Sequence, residues 1–136
     1  MGLFLDANIL FSATKSDGAV RKLLRLLLER KHECWVDDYV VGEARRNLSA
    51  KNPETLEAFE ALIGQLRVAP VQITELPPPD INWLAEKDRP VLAAAVHLRC
   101  DALVTGDRTH FGAGYGKVFS GVTIHSPRSL AEALLD

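Results

Sequence analysis

Long apolar runs are missing from this chain. None of its 136 residues lies in an unbroken stretch of the roughly 18–20 apolar residues that cross a bilayer, so no membrane-spanning helix is expected. An excess of positive charge is missing too. There are 16 Lys and Arg against 18 Asp and Glu, a net charge of −2. That balance excludes the strongly basic footprint of a protein that coats DNA non-specifically. It leaves room for a nuclease, because catalytic acids lower the total while a local basic rim still holds phosphate. Cysteine is scarce: Cys34 and Cys100 are the two present. Both read as reduced core residues rather than a disulfide or a zinc pair, and the cytoplasm is the expected compartment. The opening residues, Met1 to Asp6, lack the basic region of a signal peptide and the Ser or Thr of a myristoylation signal. Neither is expected.

What is present describes one soluble domain. Hydrophobic residues make up 47% and charged residues 25%, and 136 residues suffice for a real core. No internal repeat, low-complexity tract or linker divides the chain, so a single domain over residues 1–136 is expected. Residues 3–7 read as an apolar strand without clean alternation, which suits burial on both faces. Residues 12–16 read as a polar turn. Residues 19–30 place Val20, Leu23, Leu24, Leu27 and Leu28 on one helical stripe. Residues 33–36 read as a second strand, with Asp37 and Asp38 starting the next helix. In that helix Val40, Ala44 and Leu48 share a face, and Glu43 lies on a neighbouring line between Tyr39 and Asn47. Asn52 and Pro53 open a third helix through Leu66.

Further on, residues 71–74 read as a third strand and residues 77–79 as a rigid proline connector. Residues 81–86 suit a short helix. Pro90 opens a longer one through about Arg99. Residues 102–105 form a strand, residues 112–121 a glycine-rich mobile loop, and residues 122–125 the last strand. Ser126 and Pro127 then start a final helix with Leu130, Ala133 and Leu134 inward. Strands and helices alternate throughout, which argues for an α/β fold with a parallel sheet covered by helices on both faces. Such sheets bind ligands beyond the carboxyl ends of their strands, where strand order reverses.

Four acids stand where that rule has force. Asp6 ends the first strand, Glu43 sits within a helix, Asp88 precedes the helix opened by Pro90, and Asp107 follows a strand end. Brought within about 5 Å, each ionised pair would repel by about 3 kcal/mol at an effective dielectric near 20. A cluster of this kind needs a cation or altered protonation. Oxygen ligands without a cysteine pair or histidine cluster favour Mg2+ or Mn2+ over zinc. Taken singly, Asp6 and Asp107 read equally well as turn or cap residues, Glu43 as a solvated helix residue, and Asp88 as a cap.

The ordered set resembles the PIN-domain ribonucleases. Asp6-Ala7-Asn8 after an apolar strand resembles the first motif of that family. Glu43 resembles its second acid. Asp88 followed by Arg-Pro-Val-Leu-Ala-Ala-Ala resembles the third motif, and Thr105-Gly106-Asp107 after Ala102-Leu103-Val104 the fourth. The resemblance implies a three-layer α/β/α sandwich around a central parallel sheet. It implies a divalent-metal-dependent endoribonuclease that hydrolyses RNA phosphodiester bonds, with Asp6, Glu43, Asp88 and Asp107 holding Mg2+ or Mn2+. Asn8 and Thr105 would orient Asp6 by hydrogen bonds. Arg45, Arg46 and Arg108 would contact RNA phosphate, or serve as ordinary surface arginines. Small members of the family are mostly VapC-like toxins of type II toxin–antitoxin systems, which implies a protein antitoxin partner and a homodimer.

At one position the chain departs from the pattern. Many toxin members carry an acid immediately before Phe111, where this chain has His110. His110 is open between phosphate contact, proton transfer and loop packing. His97 reads as a core or boundary residue, and His32 and His125 carry no site signal. Trp35, Tyr39 and Trp83 read as packing residues rather than base-stacking platforms. A free-standing RNA-processing nuclease fits the same motifs. A non-catalytic PIN-like binding module fits less well, since it need not keep four mutually repelling acids. A receiver-like phosphate-accepting domain would show paired acids after the first strand and a late lysine, and fits poorly.

Overall fold

The computed structural model describes residues 1–71 and 79–135. The chain runs through β1 (Gly2–Leu5), α1 (Ala7–Lys15), α2 (Ala19–Glu29), β2 (Glu33–Asp37) and α3 (Asp38–Lys51). After a 3-10 turn at Pro53–Thr55 come α4 (Leu56–Ile63) and β3 (Arg67–Ala69). Then follow α5 (Arg89–His97), β4 (Ala102–Val104), α6 (Arg108–Phe111), β5 (Val118–Phe119), β6 (Val122–His125) and α7 (Pro127–Leu134).

Among the described residues, six strands form one sheet in the order β3-β2-β1-β4-β6-β5. Every pairing is parallel except that of the two-residue edge strand β5 with β6. This is the helix-flanked α/β architecture expected from the alternation of strands and helices. The central strands are apolar because both faces are covered: Leu3, Phe4 and Leu5 of β1 are fully buried, as is Leu103 of β4. The chain builds outward from β1 to β3, then returns to the other side of β1 as β4. Strand order therefore reverses between β1 and β4, and a crevice opens beyond their carboxyl ends. Around this sheet α1 packs against α2, α3 and α4, while α5 packs on β4.

Several local expectations need correction. Residues 12–16 are not a free turn, since α1 runs from Ala7 to Lys15. Its polar residues hid it. Ile9, Leu10 and Ala13 are buried, and the Thr14 hydroxyl donates back to the Leu10 carbonyl at 2.8 Å, so this buried polar side chain is satisfied within the helix. The third strand lies at Arg67–Ala69, ahead of residues 71–74, of which 72–74 lie outside the described residues. Residues 77 and 78 of the expected proline connector lie outside them too. A 3-10 turn spans Pro79–Ile81, and residues 82–86 are turn and irregular chain rather than the helix expected over 81–86. They are fixed by Arg89, whose guanidinium donates to the carbonyls of Leu84 and Asn82. The glycine-rich segment 112–121 holds a 3-10 turn and β5, and Asp80 clamps Ser120 through both the backbone N–H and the hydroxyl. In α7 Leu130 is buried but Ala133 is exposed.

Candidate functional site

Three of the four acids stand at helix starts at the carboxyl end of the sheet. Asp6 caps α1, its Oδ1 accepting from the Ala7 N–H at 2.7 Å. Asp107 caps α6, its Oδ1 accepting from the His110 N–H at 3.1 Å. Asp88 occupies the cap position of α5 but makes no side-chain capping bond. Its carboxylate is turned to other use. Glu43 projects from α3, one turn from Asn47 and two from Lys51. All four acids line one cleft of about 330 Å³, together with Asn8, Phe11, Asn47, Lys51, Lys87, Val91 and Gly106.

The groups around Asp6 are tightly ordered. Asp6 Oδ2 accepts from the Thr105 hydroxyl at 2.8 Å and from Asn8 Nδ2 at 3.1 Å. Asn8 Oδ1 in turn accepts from the Gly106 N–H at 2.8 Å, which ties the start of α1 to the turn after β4. A Cβ at position 106 would stand only 3.4 Å from that oxygen. The Thr105 hydroxyl oxygen also accepts from the Asp107 N–H at 3.1 Å. The Tyr115 hydroxyl donates to the Thr105 carbonyl at 2.9 Å, so fully buried Thr105 is held from both ends. Burial pushes the Asp6 carboxyl up to about 6. The bonds from Thr105 and Ala7 oppose that rise, and the charges of Glu43 and Asp107 reinforce it.

On the other side of the cleft Asp88, Asp107 and His110 converge. His110 Nδ1 is 2.7 Å from Asp107 Oδ2 and 3.5 Å from Asp88 Oδ2. Asp88 Oδ2 is sealed from solvent and has no hydrogen-bond partner among the described residues, since 3.5 Å to His110 is too long to count as one. A buried carboxylate oxygen without a donor, close to a second carboxylate, suits a cation. One ligand atom from each of Asp88, Asp107 and His110 lies within 4.8 Å of the others, so this acidic group can hold a metal ion. Tyr39 stands in the same field. Burial raises its phenol, and the charges of Glu43 and Asp88 add to the rise.

The cationic residues divide. Arg45 is committed elsewhere: it makes a bidentate pair with Glu60 at 2.8 and 2.9 Å, and its guanidinium stacks 5.6 Å over the Phe59 ring. Arg46 is exposed on α3 and Arg108 is exposed at the first position of α6. Neither lines the cleft, whereas Lys51 and Lys87 do. Neither lysine was expected from the sequence, although the signal was present: Lys87 adjoins Asp88, and Lys51 continues the Glu43–Asn47 line of α3. His97, expected in the core or at its boundary, is exposed at the end of α5.

A parallel α/β sheet with a carboxylate-lined cleft at its switch point defines the class of this molecule. A PIN-domain family model matches residues 3–109, and the chain belongs to the PIN-domain family. No curated protein matches it in sequence. Solved structures share its fold. VapBC2 from Rickettsia felis, bound to a promoter DNA fragment, superposes with a TM-score of 0.66 at 16% identity, covering 93% of this chain and 98% of that one. A toxin–antitoxin complex from Klebsiella pneumoniae gives 0.64 at 16% identity over 90% and 96%. The sarcin–ricin-loop-cleaving toxin VapC20 from Mycobacterium tuberculosis gives 0.61 at 16% identity over 85% and 98%.

Proposed function

We propose that this protein is a divalent-metal-dependent endoribonuclease and the toxin of a type II toxin–antitoxin pair. One observation carries the reading: Asp6, Glu43, Asp88 and Asp107, drawn from distant parts of the chain, line a single cleft at the reversal of strand order. Mutually repelling carboxylates destabilise a cleft unless a cation joins them. These acids, with the orphaned Asp88 oxygen, fit Mg2+ or Mn2+ held by hard oxygen donors. The ion would supply charge neutralisation at phosphate and a more acidic attacking water. The chain's own residues do the rest. Thr105 and Asn8 hold Asp6 in one orientation. Lys51 and Lys87 bring positive charge to the cleft walls, where RNA phosphates would lie. Exposed Arg46 and Arg108 extend that charge outward, and His110 stands against Asp107 and Asp88.

Cleavage of a mixed RNA pool with Mg2+ or Mn2+ tests the reading. The wild type cuts only with metal, and Asp6→Asn does not cut. Equal cleavage by both proteins would sink it. The toxin assignment draws on the solved neighbours, several of which are complexes of toxin with antitoxin. An apolar groove of about 380 Å³ between α1, α2 and α4, lined by Leu24, Leu28 and Leu62 with Arg25 and Glu29 also in its lining, offers a seat for an amphipathic antitoxin helix. A homodimer belongs to the same proposal and is checked by light scattering. A small DNA-binding protein encoded beside this chain favours the toxin. Its absence favours a free-standing RNA-processing nuclease.

A further inference from the structure

The residue at which this chain leaves the toxin pattern is also in contact with two of its acids. His110 reaches them because of α6. The Asp107 carboxylate caps that short helix with Oδ1 and so places residue 110 one turn above itself, while buried Phe111 anchors the turn in the core. Asp107 Oδ2 is left facing His110 Nδ1 at 2.7 Å. Asp88, which spends no oxygen on capping α5, brings Oδ2 to 3.5 Å from the same nitrogen. We propose that His110 Nδ1, with Asp88 Oδ2 and Asp107 Oδ2, directly ligates a divalent transition-metal ion and makes this site select Mn2+ over Mg2+. The inference rests on the metal-nuclease reading above and specifies which ion that site prefers.

Geometry and donor chemistry both support it. Ligand atoms about 2.1 Å from one ion stand roughly 3.0 Å apart along an octahedral edge and roughly 3.4 Å along a tetrahedral one. The separations of 2.7 and 3.5 Å bracket those edges. The buried Asp88 oxygen has no hydrogen-bond donor among the described residues, so it gives up no bond to take a cation. His110 Nδ1 stands at hydrogen-bond distance from Asp107 Oδ2, so the metal takes the place of the proton between them, and that proton leaves to solvent. Mg2+ takes oxygen ligands and dehydrates reluctantly, whereas imidazole nitrogen suits later and softer ions. An imidazole nitrogen at position 110 is a neutral borderline donor, where a carboxylate would be a hard, charged one. That difference weakens the hold on Mg2+ more than on Mn2+.

Calorimetric titration of metal-stripped protein with Mn2+ and with Mg2+, paired with pulsed EPR of bound Mn2+, tests the assignment in wild type, H110A and H110D. The wild type shows nitrogen modulation of the Mn2+ echo, and H110A loses it. Mn2+ affinity falls roughly tenfold or more in H110A, the scale of effects at metal ligands and their supports, while Mg2+ affinity changes little. H110D restores Mn2+ binding without the nitrogen signal and tightens Mg2+. It also keeps the test decisive should H110A lose its fold, which circular dichroism in EDTA reports. Nitrogen modulation that persists in H110A would overturn the proposal. So would tighter binding of both ions by H110A, the mark of a histidine that merely competes with metal. A wild type that binds neither ion overturns the metal-nuclease reading itself, and is told apart because H110A then has nothing to lose.

Discussion

Asp6 is buried where it lines the cleft, and burial disfavours its charge. Its folded carboxyl is raised to about 6 from an ordinary 3.8, chiefly by burial. The folded state therefore holds that proton more tightly than the unfolded chain does. This stability is fully present below the unfolded value and is lost as pH rises through the folded one. In EDTA, stability should fall by about 3 kcal/mol between roughly pH 4 and pH 6, since each tenfold gain in proton affinity is worth about 1.4 kcal/mol. Asp6→Asn should flatten that slope, because it removes the titrating group. Melting curves across pH in EDTA check this, and a variant that keeps the wild-type slope would refute it. Thr105 works in the opposite sense. Thr105→Val deletes the donor to Asp6 and the acceptor for the Asp107 N–H. The cost should be about 1–3 kcal/mol by denaturant titration, with the Asp6 carboxyl pushed higher still.

At the scale of elements, the cleft depends on short segments that barely announce themselves. The 3-10 turn Gly112–Gly114 brings Gly114 against Trp83, where an added Cβ would stand 2.6 Å from the indole. Trp83 is itself fixed by Phe119, with ring centroids 5.0 Å apart. The Phe119 ring and Ile124 Cδ1, itself 3.0 Å from the added Cβ, limit how far the indole and its neighbours can shift. Gly114→Ala should cost about 1–3 kcal/mol by overpacking and lower the melting temperature several degrees. An unchanged melting point would show that the indole yields. The regular elements were legible because their apolar spacing is strong: the Leu23–Leu24–Leu27 stripe of α2 and the unbroken apolar runs of β1 and β4 leave little choice. The element α1 was not, because Ser12, Thr14 and Ser16 read as turn chemistry. The structure shows how the helix holds them: Asp6 caps its start, and the Thr14 hydroxyl bonds back to the Leu10 carbonyl. β5 was illegible for a different reason. Two residues pairing antiparallel at an edge carry no period at all.

For the whole molecule, the proposed function couples metal binding at the four-acid cleft to folding. An ion present at 100 times its dissociation constant stabilises by about 2.7 kcal/mol. Mg2+ or Mn2+ should therefore raise the wild-type melting temperature by several degrees and raise that of Asp107→Asn less. Identical gains would argue against a shared ion. The positions of Asp6 and Asp107 at strand ends followed from the alternation of elements and the switch-point rule. The commitment of Arg45 to Glu60 did not, because an arginine two residues from a proposed catalytic acid gives no hint of a partner fifteen residues away. Lys51 and Lys87 were likewise hidden until the sheet order set α3 opposite the start of α5.

The Thr105 hydroxyl that grips Asp6 lies 99 residues further along the chain. On a ribosome adding about 5–20 residues per second, Asp6 and Glu43 emerge seconds before their counterparts. Until β4 has been made and has docked beside β1, no cleft exists to hold an ion. Under the proposed function, a nascent chain is thus harmless to the transcript that encodes it. Under that reading the capacity to cut arrives in one step, when β4 has docked beside β1 and set Thr105 and Asp107 against Asp6.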